Sequence, residues 1–282
     1  MQVIHTIHDC SQQVKTWKQQ GLSVAFVPTM GNLHAGHLSL LALAKSKADK
    51  VVVSIFVNPL QFAEGEDFSQ YPRTLEQDCK QLDFAGCDLV FAPKVNEMYP
   101  QGALTKVVAP NRITTILEGE SRPGHFDGVT TVVNKLFNIV LPDIAIFGQK
   151  DYQQWCVLKK MVTDLSMPIK MICAPIVRAE DGLALSSRNQ YLSSEQRKIA
   201  PTLQQELLKI RQQISSPSFS QNFAEVESQA CDNLIKSGFD GVDYIRIVCA
   251  DSLMPANKKT INKVVLAVAR LGSTRLLDNV LI

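Results

Sequence analysis

Charge of a single sign is what this 282-residue chain most plainly lacks: 29 lysines and arginines stand against 27 aspartates and glutamates, a formal net charge of +2. Binding to nucleic acid by counterion release needs a clustered basic excess. Neither the excess nor a useful Lys/Arg run is present, which argues against duplex DNA as a partner. Long apolar runs are missing too. None approaches the ~18 residues that span a bilayer, and residues 1–10 have neither the basic start nor the apolar stretch of a secretory leader. The seven cysteines, Cys10, Cys79, Cys87, Cys156, Cys173, Cys231 and Cys249, are odd in number, scattered and never spaced as CxxC, which argues against a disulfide framework and a zinc ribbon. Glycine (14) and proline (13) are too few for a collagen-like or low-complexity chain. What is there is 45% hydrophobic and 20% charged residues, enough to bury a core that offsets the conformational entropy of folding. The expectation is a soluble, cytoplasmic protein of a reducing compartment, with no membrane segment and one large or two medium domains.

The first 175 residues alternate short apolar runs with segments of helical period. Strands are predicted at 24–27, 51–57, 89–92, 144–147 and 170–173, and helices at 38–48, 74–84, 129–140 and 152–165. Strand and helix in turn predict an α/β domain with a doubly wound, Rossmann-like parallel sheet, whose ligands bind just beyond the carboxyl ends of the strands. From 176 to 282 the character changes. Two polar-faced helices at 194–214 and 223–237 flank the turn-rich 215–222, and two strands at 243–248 and 264–270 follow, joined by a loop with Pro255 and Asn257. Short strands so connected favour an antiparallel pair. The domains are therefore predicted as 1–175 and a smaller α+β domain, 176–282.

Five segments carry groups suited to chemistry, most of them at strand ends. Pro28-Thr29-Met30-Gly31-Asn32-Leu33-His34-Ala35-Gly36-His37 follows the first predicted strand and opens a helix. Its glycines let backbone approach a ligand, the free N–H groups of the coming helix attract an anion, and His34 and His37, three apart, can share a face. A glycine turn with one exposed and one packed histidine has the same spacing. In Phe56-Val57-Asn58-Pro59-Leu60-Gln61-Phe62, Asn58 and Gln61 are neutral donors and acceptors for a small polar substrate, or simply polar residues of an Asn-Pro turn. Phe147-Gly148-Gln149-Lys150-Asp151-Tyr152-Gln153-Gln154 puts Lys150 beside a helix start, a poor place for a cation unless an anion binds there. Leu185-Ser186-Ser187-Arg188-Asn189 offers hydroxyls and a guanidinium for phosphate oxygens, or forms an interdomain turn. The segment 118–128, Glu-Gly-Glu-Ser-Arg-Pro-Gly-His-Phe-Asp-Gly, is either a pocket lid or a solvated loop.

These segments, read as PTMGxLHxGH, FVNPxQF, GxxRPxHFxGV, FGxKDxQQ and LSSRN, resemble the pantoate–β-alanine ligases of the HIGH-motif nucleotidyltransferases; the resemblance runs from Val24 to Asn279. It implies a two-step, ATP-driven amide synthesis. The carboxylate of pantoate attacks the α-phosphorus of ATP to give pantoyl adenylate and pyrophosphate; the amine of β-alanine then displaces AMP and pantothenate is formed. By the same resemblance, ATP lies against Met30, Gly31, Asn32, Leu33, His34, Ala35, Gly36 and His37, with His37 as proton donor to the departing pyrophosphate. Gly148, Gln149, Lys150, Asp151, Val177, Leu185, Ser186, Ser187 and Arg188 complete the nucleotide site, with His34, Lys150 and Arg188 counted with His37 as catalytic. Gln61 and Gln154 hold pantoate and Gln61 also meets β-alanine. Mg2+ rides on the ATP phosphates with Asp78 as an outer contact, the loop 61–73 covers the pocket, the smaller domain closes over the site, and the chain is a homodimer. Two rivals share the glycine loop. One is a nucleotidyltransferase acting on a phosphate-bearing acceptor, against which FVNPxQF and LSSRN speak; the other is a regulatory module that holds ATP without turnover, against which both histidines and Lys150 speak.

Overall fold

The computed structural model describes residues 1–282 except Glu64, Glu66, Asp67, Ala103 and Leu104. Three of these belong to the expected covering loop, which to that extent lies outside the described residues. The chain divides into two compact units, Met1–Gly148 with Val157–Ala174, and Gln149–Cys156 with Pro175–Ile282.

The first unit contains a six-stranded sheet, all of whose pairings are parallel, in the order β1-β4-β3-β2-β5-β6. Its strands are β1 (Gln2–Ile4), β2 (Val24–Thr29), β3 (Lys50–Ile55), β4 (Leu89–Phe91), β5 (Ile144–Gly148) and β6 (Lys170–Ala174). Strands of a parallel sheet covered on both faces read as continuous apolar runs, and Val24, Ala25, Phe26 and Val27 are accordingly all buried. The helices are α1 (Ile7–Gln19), α2 (Ala35–Lys45), α3 (Leu75–Phe84), the single turns α4 (Val95–Met98), α5 (Asn111–Thr114) and α6 (Glu118–Ser121), then α7 (His125–Val140) and α8 (Tyr152–Asp164). Phe26, Leu41, Leu82, Phe91 and Ile146 are fully buried, each stabilising the fold by about 1.5–3 kcal/mol. From β2 the chain builds outward through β3 and β4 on one side, and β5 and β6 continue on the other. The order reverses at β2 and β5, and the crevice beyond their carboxyl ends is where such sheets take ligands.

The sequence reading misses β1, three residues long, and the amphipathic α1, whose inward face is Cys10, Val14 and Trp17. It also starts two helices late. The first turn of α2 already contains His37, and α7 begins at His125 after a left-handed Gly124.

The second unit contains an antiparallel sheet in the order β7-β8-β9, built from β7 (Gly241–Cys249), β8 (Lys263–Leu271) and β9 (Thr274–Leu281). The expected antiparallel pair is thus three strands, the last formed by the closing segment. The predicted helix 194–214 is two, α9 (Ser194–Ile199) and α10 (Thr202–Ile214), because Pro201 stands at the N-cap of the second and offers no N–H to continue the first. With α11 (Phe223–Lys236) they bury Leu203, Leu207, Ile210 and Leu234 in one core with Ile245 and Ala267 of the sheet. Residues 149–156, predicted with the first domain, group here. Asn279 Nδ2 donates to the carbonyls of Gln149 and Lys150 at 2.9 and 3.0 Å, and the Tyr152 hydroxyl donates to the Ala250 carbonyl at 3.1 Å.

Candidate active site

The loop between β2 and α2 is shaped from below by a buried carboxylate. Gly31 (φ +85°) and Asn32 (φ +50°) turn the chain through the left-handed region, where glycine alone is unstrained. Asp78 of α3, 1% exposed, accepts the Asn32 N–H on Oδ2 at 3.0 Å and the Leu33 N–H on Oδ1 at 2.9 Å; the Thr74 hydroxyl donates to Oδ2 at 3.1 Å. A Cβ on Gly31 would stand 3.0 Å from that same Oδ2. Both oxygens are buried and committed to the loop. Among the described residues no group of three or more His, Cys, Asp or Glu side chains could hold a metal ion.

Above that floor the two histidines cap α2 themselves. His34 is the N-cap in extended conformation (φ −138°, ψ 175°); its Nδ1 accepts the Gly36 N–H at 3.1 Å, and His37 Nδ1 accepts the His34 N–H at 3.3 Å. This is a capping box with imidazoles where Ser/Thr and Glu usually stand. The rings are 4.2 Å apart and tilted by 41°. Because each Nδ1 is an acceptor, the neutral ring carries its proton on Nε2. The loop therefore holds two imidazoles at the positive end of a helix, an arrangement suited to phosphate oxygens.

Gln61 ends a single 3₁₀ turn, Pro59–Gln61, and is half-buried. Its amide is oriented by Asn58. Asn58 Nδ2 donates to Gln61 Oε1 at 3.2 Å and to the Gly128 carbonyl at 3.1 Å, while Asn58 Oδ1 accepts from the Leu60 N–H and the Tyr99 hydroxyl at 3.3 and 3.0 Å. Gln61 Nε2 points to Met30 Sδ at 3.1 Å. Asn58, read from sequence as a donor and acceptor for a substrate, is 1% exposed and bonds wholly within the protein. The Gln61 carbonyl accepts from His125 Nδ1 at 2.8 Å and from Arg122 Nη2 at 3.3 Å. The segment 118–128, expected as a lid or a solvated loop, thus contributes a buried histidine and the start of α7. Gly128 packs so tightly that a Cβ there would lie 2.1 Å from the Leu60 carbonyl oxygen.

The second unit assembles the remaining residues. Lys150 lies on the turn Gln149–Asp151, its side chain 20% exposed and its Nζ 3.8 Å from Asp151 Oδ1. Asn279 fixes that turn: besides its two bonds to carbonyls, its Oδ1 accepts from Gln149 Nε2 at 3.0 Å. Lys150, Ser186, Asn189, Arg275 and Asp278 line one recess. Arg178 holds Asp278 through two parallel bonds of 2.6 and 2.8 Å, the bidentate geometry a guanidinium favours. The Leu185 N–H donates to the Val177 carbonyl at 3.0 Å, bringing those two together, and Ser186 Oγ accepts the Arg188 N–H at 3.3 Å to start the turn Ser187–Tyr191. Gln154 is half-buried in the first turn of α8.

Of the predicted site residues, the first unit brings together Met30 to His37 and Gln61 and carries Gly148 at the end of β5; the second holds Gln149, Lys150, Asp151, Gln154, Val177, Leu185, Ser186, Ser187 and Arg188. The sequence reading gives no role to Asn279, Arg178, Asp278, Tyr99 or His125. Asn279 is 130 residues from Gln149, and only its place in the closing Leu-Asp-Asn run set it apart.

Comparison with known proteins bears on the whole chain. The model of the family described as pantoate-beta-alanine ligase matches residues 2–281. A pantothenate synthetase of Hydrogenovibrio crunogenus is 53% identical over 283 residues, covering 100% of this chain and 99% of the relative. A pantoate–β-alanine ligase of Schizosaccharomyces pombe is 52% identical, covering 99% and 98%. Among solved structures, a pantothenate synthetase of Thermus thermophilus superposes with a TM-score of 0.90 at 43% identity, covering 99% of both chains. A Francisella tularensis pantoate–β-alanine ligase, complexed with β,γ-ATP and β-alanine, gives 0.83 at 36%, covering 100% of this chain and 97% of that one. With the family model matched nearly end to end, and relatives more than half identical over almost their full length, this chain is an enzyme that belongs to the pantoate–β-alanine ligase family.

Proposed function

We propose that the chain condenses pantoate with β-alanine in two steps through a pantoyl adenylate. In the first, a pantoate carboxylate oxygen bonds to the α-phosphorus of ATP and the bond to the bridging oxygen breaks, releasing pyrophosphate. In the second, the β-alanine nitrogen bonds to the activated carbonyl carbon, the tetrahedral adduct loses AMP together with one original carboxylate oxygen, and the amine gives up a proton. Activation must come first because an oxide ion is too basic to leave a carboxylate, whereas AMP leaves readily.

The observation that carries this reading is the self-capping of α2 by His34 and His37, which engages both Nδ1 atoms and holds the two imidazoles together at the helix start. Such imidazoles stabilise charge developing on a departing phosphate, and His37 is the proton donor in this scheme. Lys150, Ser186, Ser187 and Arg188 add charge-assisted bonds to the phosphate chain. Gly148, Gln149, Asp151, Val177 and Leu185 border the nucleotide. Gln61 and Gln154 bind pantoate through neutral amides and orient its carboxylate for in-line attack, a gain in proximity rather than in acid–base chemistry, and Gln61 also meets β-alanine. Mg2+ belongs to the ATP phosphates, and no step is assigned to it. A cytoplasmic homodimer is part of the same reading, checked by sedimentation velocity and fractionation.

The test uses pantoate labelled with 18O in its carboxylate, ATP, Mg2+ and β-alanine. One labelled oxygen per turnover should appear in AMP, with pantothenate and AMP formed in equal amounts. AMP release that is independent of pantoate, or AMP without label, refutes the scheme.

A further inference from the structure

We infer that Arg122 and His125 are positioning residues which fix Gln61 through its main chain and so set the affinity for the hydroxy acid that Gln61 binds; the inference rests on the pantoate reading of Gln61 above. Gln61 is the last residue of a three-residue 3₁₀ turn, an element too short to hold itself in place. Its carbonyl sits at the open end of that turn and finds its donors on another segment, His125 Nδ1 at 2.8 Å and Arg122 Nη2 at 3.3 Å. A carbonyl only accepts, so His125 Nδ1 bears the proton, and Nε2 of the neutral ring accepts from Arg122 Nη1 at 3.2 Å. Arginine and histidine thus meet each other and converge on one oxygen. The N-cap of α7 is Gly124, with no side-chain cap hydrogen bond.

The pair acts on the half of Gln61 that the side-chain contacts leave unfixed. Asn58 orients the amide by donating to Oε1, which directs Nε2 toward Met30. Gly128, one turn into α7, meets the Leu60 carbonyl directly. With the Gln61 carbonyl anchored three residues earlier on the same helix, the turn is held along its length and the amide at its end has one position. A displacement of ~1 Å in such a group is enough to cost ~10²-fold in use of the substrate it orients.

The experiment compares His125→Phe, which keeps a ring edge-on to Phe126 (centroids now 5.0 Å apart) but removes both nitrogens, with His125→Asn, whose side-chain N–H reaches the same carbonyl. Arg122→Met removes the second donor. Expected for His125→Phe is a rise of about tenfold in the KM for pantoate, equivalent to about 1.4 kcal/mol, with the KM for ATP changed less than twofold. His125→Asn should return the pantoate KM to within about threefold of the parent, and Arg122→Met should fall between the two. In a Gln61→Ala background, where the carbonyl survives and the amide is gone, His125→Phe should add less than twofold, because coupled residues are not additive. A pantoate KM unmoved by His125→Phe, or one that moves together with the ATP KM and a lowered melting temperature and is not restored by Asn, overturns the inference. If Gln61→Ala itself leaves the pantoate KM unchanged, the reading of Gln61 fails instead, and the inference with it.

Discussion

Replacing Asp78 by Asn tests whether the loop between β2 and α2 is built on a buried carboxylate. The substitution keeps the size and one acceptor, but places an NH2 against a main-chain N–H that now donates to an oxygen, at Asn32 (3.0 Å) or Leu33 (2.9 Å). The loss is one charge-assisted bond, about 1.5–3 kcal/mol, together with a buried N–H left without an acceptor. The expected loss of stability is about 2–3 kcal/mol, or about 5–10 °C in melting temperature for a unit of this size. Function should suffer more selectively. The loop carries both histidines, so the KM for ATP and the rate of adenylate formation should worsen by about tenfold or more, while the KM for β-alanine holds. Titration with Mg2+ separates this from a metal role. If Asp78 contacted the ion, excess Mg2+ would recover activity; a residue that folds the loop gives no such recovery. Full activity of the Asn variant, or rescue by Mg2+, refutes the reasoning.

Four further outcomes are expected. Changing His37 or Lys150 to Ala should slow adenylate formation by about 10²–10³-fold with little effect on folding, read by pyrophosphate release in single-turnover assays. Asn58→Leu leaves the Gly128 carbonyl, the Tyr99 hydroxyl and the Gln61 amide without their shared partner, each worth about 1–3 kcal/mol when buried; chemical denaturation should show the loss and the pantoate KM should rise. Arg178→Met strands Asp278, 3% exposed, and should cost about 3 kcal/mol, with partial recovery in the double variant Arg178→Met/Asp278→Leu. Thiols should alkylate in an order set by their surroundings. Burial pushes Cys10 and Cys87 up to about 12, keeping them as unreactive thiols at pH 8, whereas hydrogen bonds from Ser252 lower Cys249; iodoacetamide followed by peptide mapping should find Cys249 first and the other two only after unfolding.

The parallel sheet was legible because its inner strands are apolar on both faces, which leaves runs such as residues 51–53 unbroken by polar positions. Where a strand is three residues long, as in β1, the run is too short to stand out. β9 alternates buried and half-buried positions only at its start and buries Asp278 and Asn279 in succession, so its strand character is hidden by its polar groups. The break at Pro201 was written in the sequence, yet helical periodicity on either side masks it. At the site, motifs marked the residues but not their partners. Asp78 is 46 positions from Asn32 and Asn279 is 129 from Lys150, distances that only the fold closes. Asn58 and Gln61 look alike as adjacent amides; one bonds inward and the other is left half-buried by a single turn of chain.

Gly128 has a consequence for anyone wishing to reshape the turn that ends at Gln61. The helix there touches the preceding turn main chain to main chain, with a missing methyl's worth of room. No choice of side chain at that position can shift the turn gradually, because the smallest addition already collides with a peptide carbonyl. Any redesign around Gln61 has to leave this seam untouched.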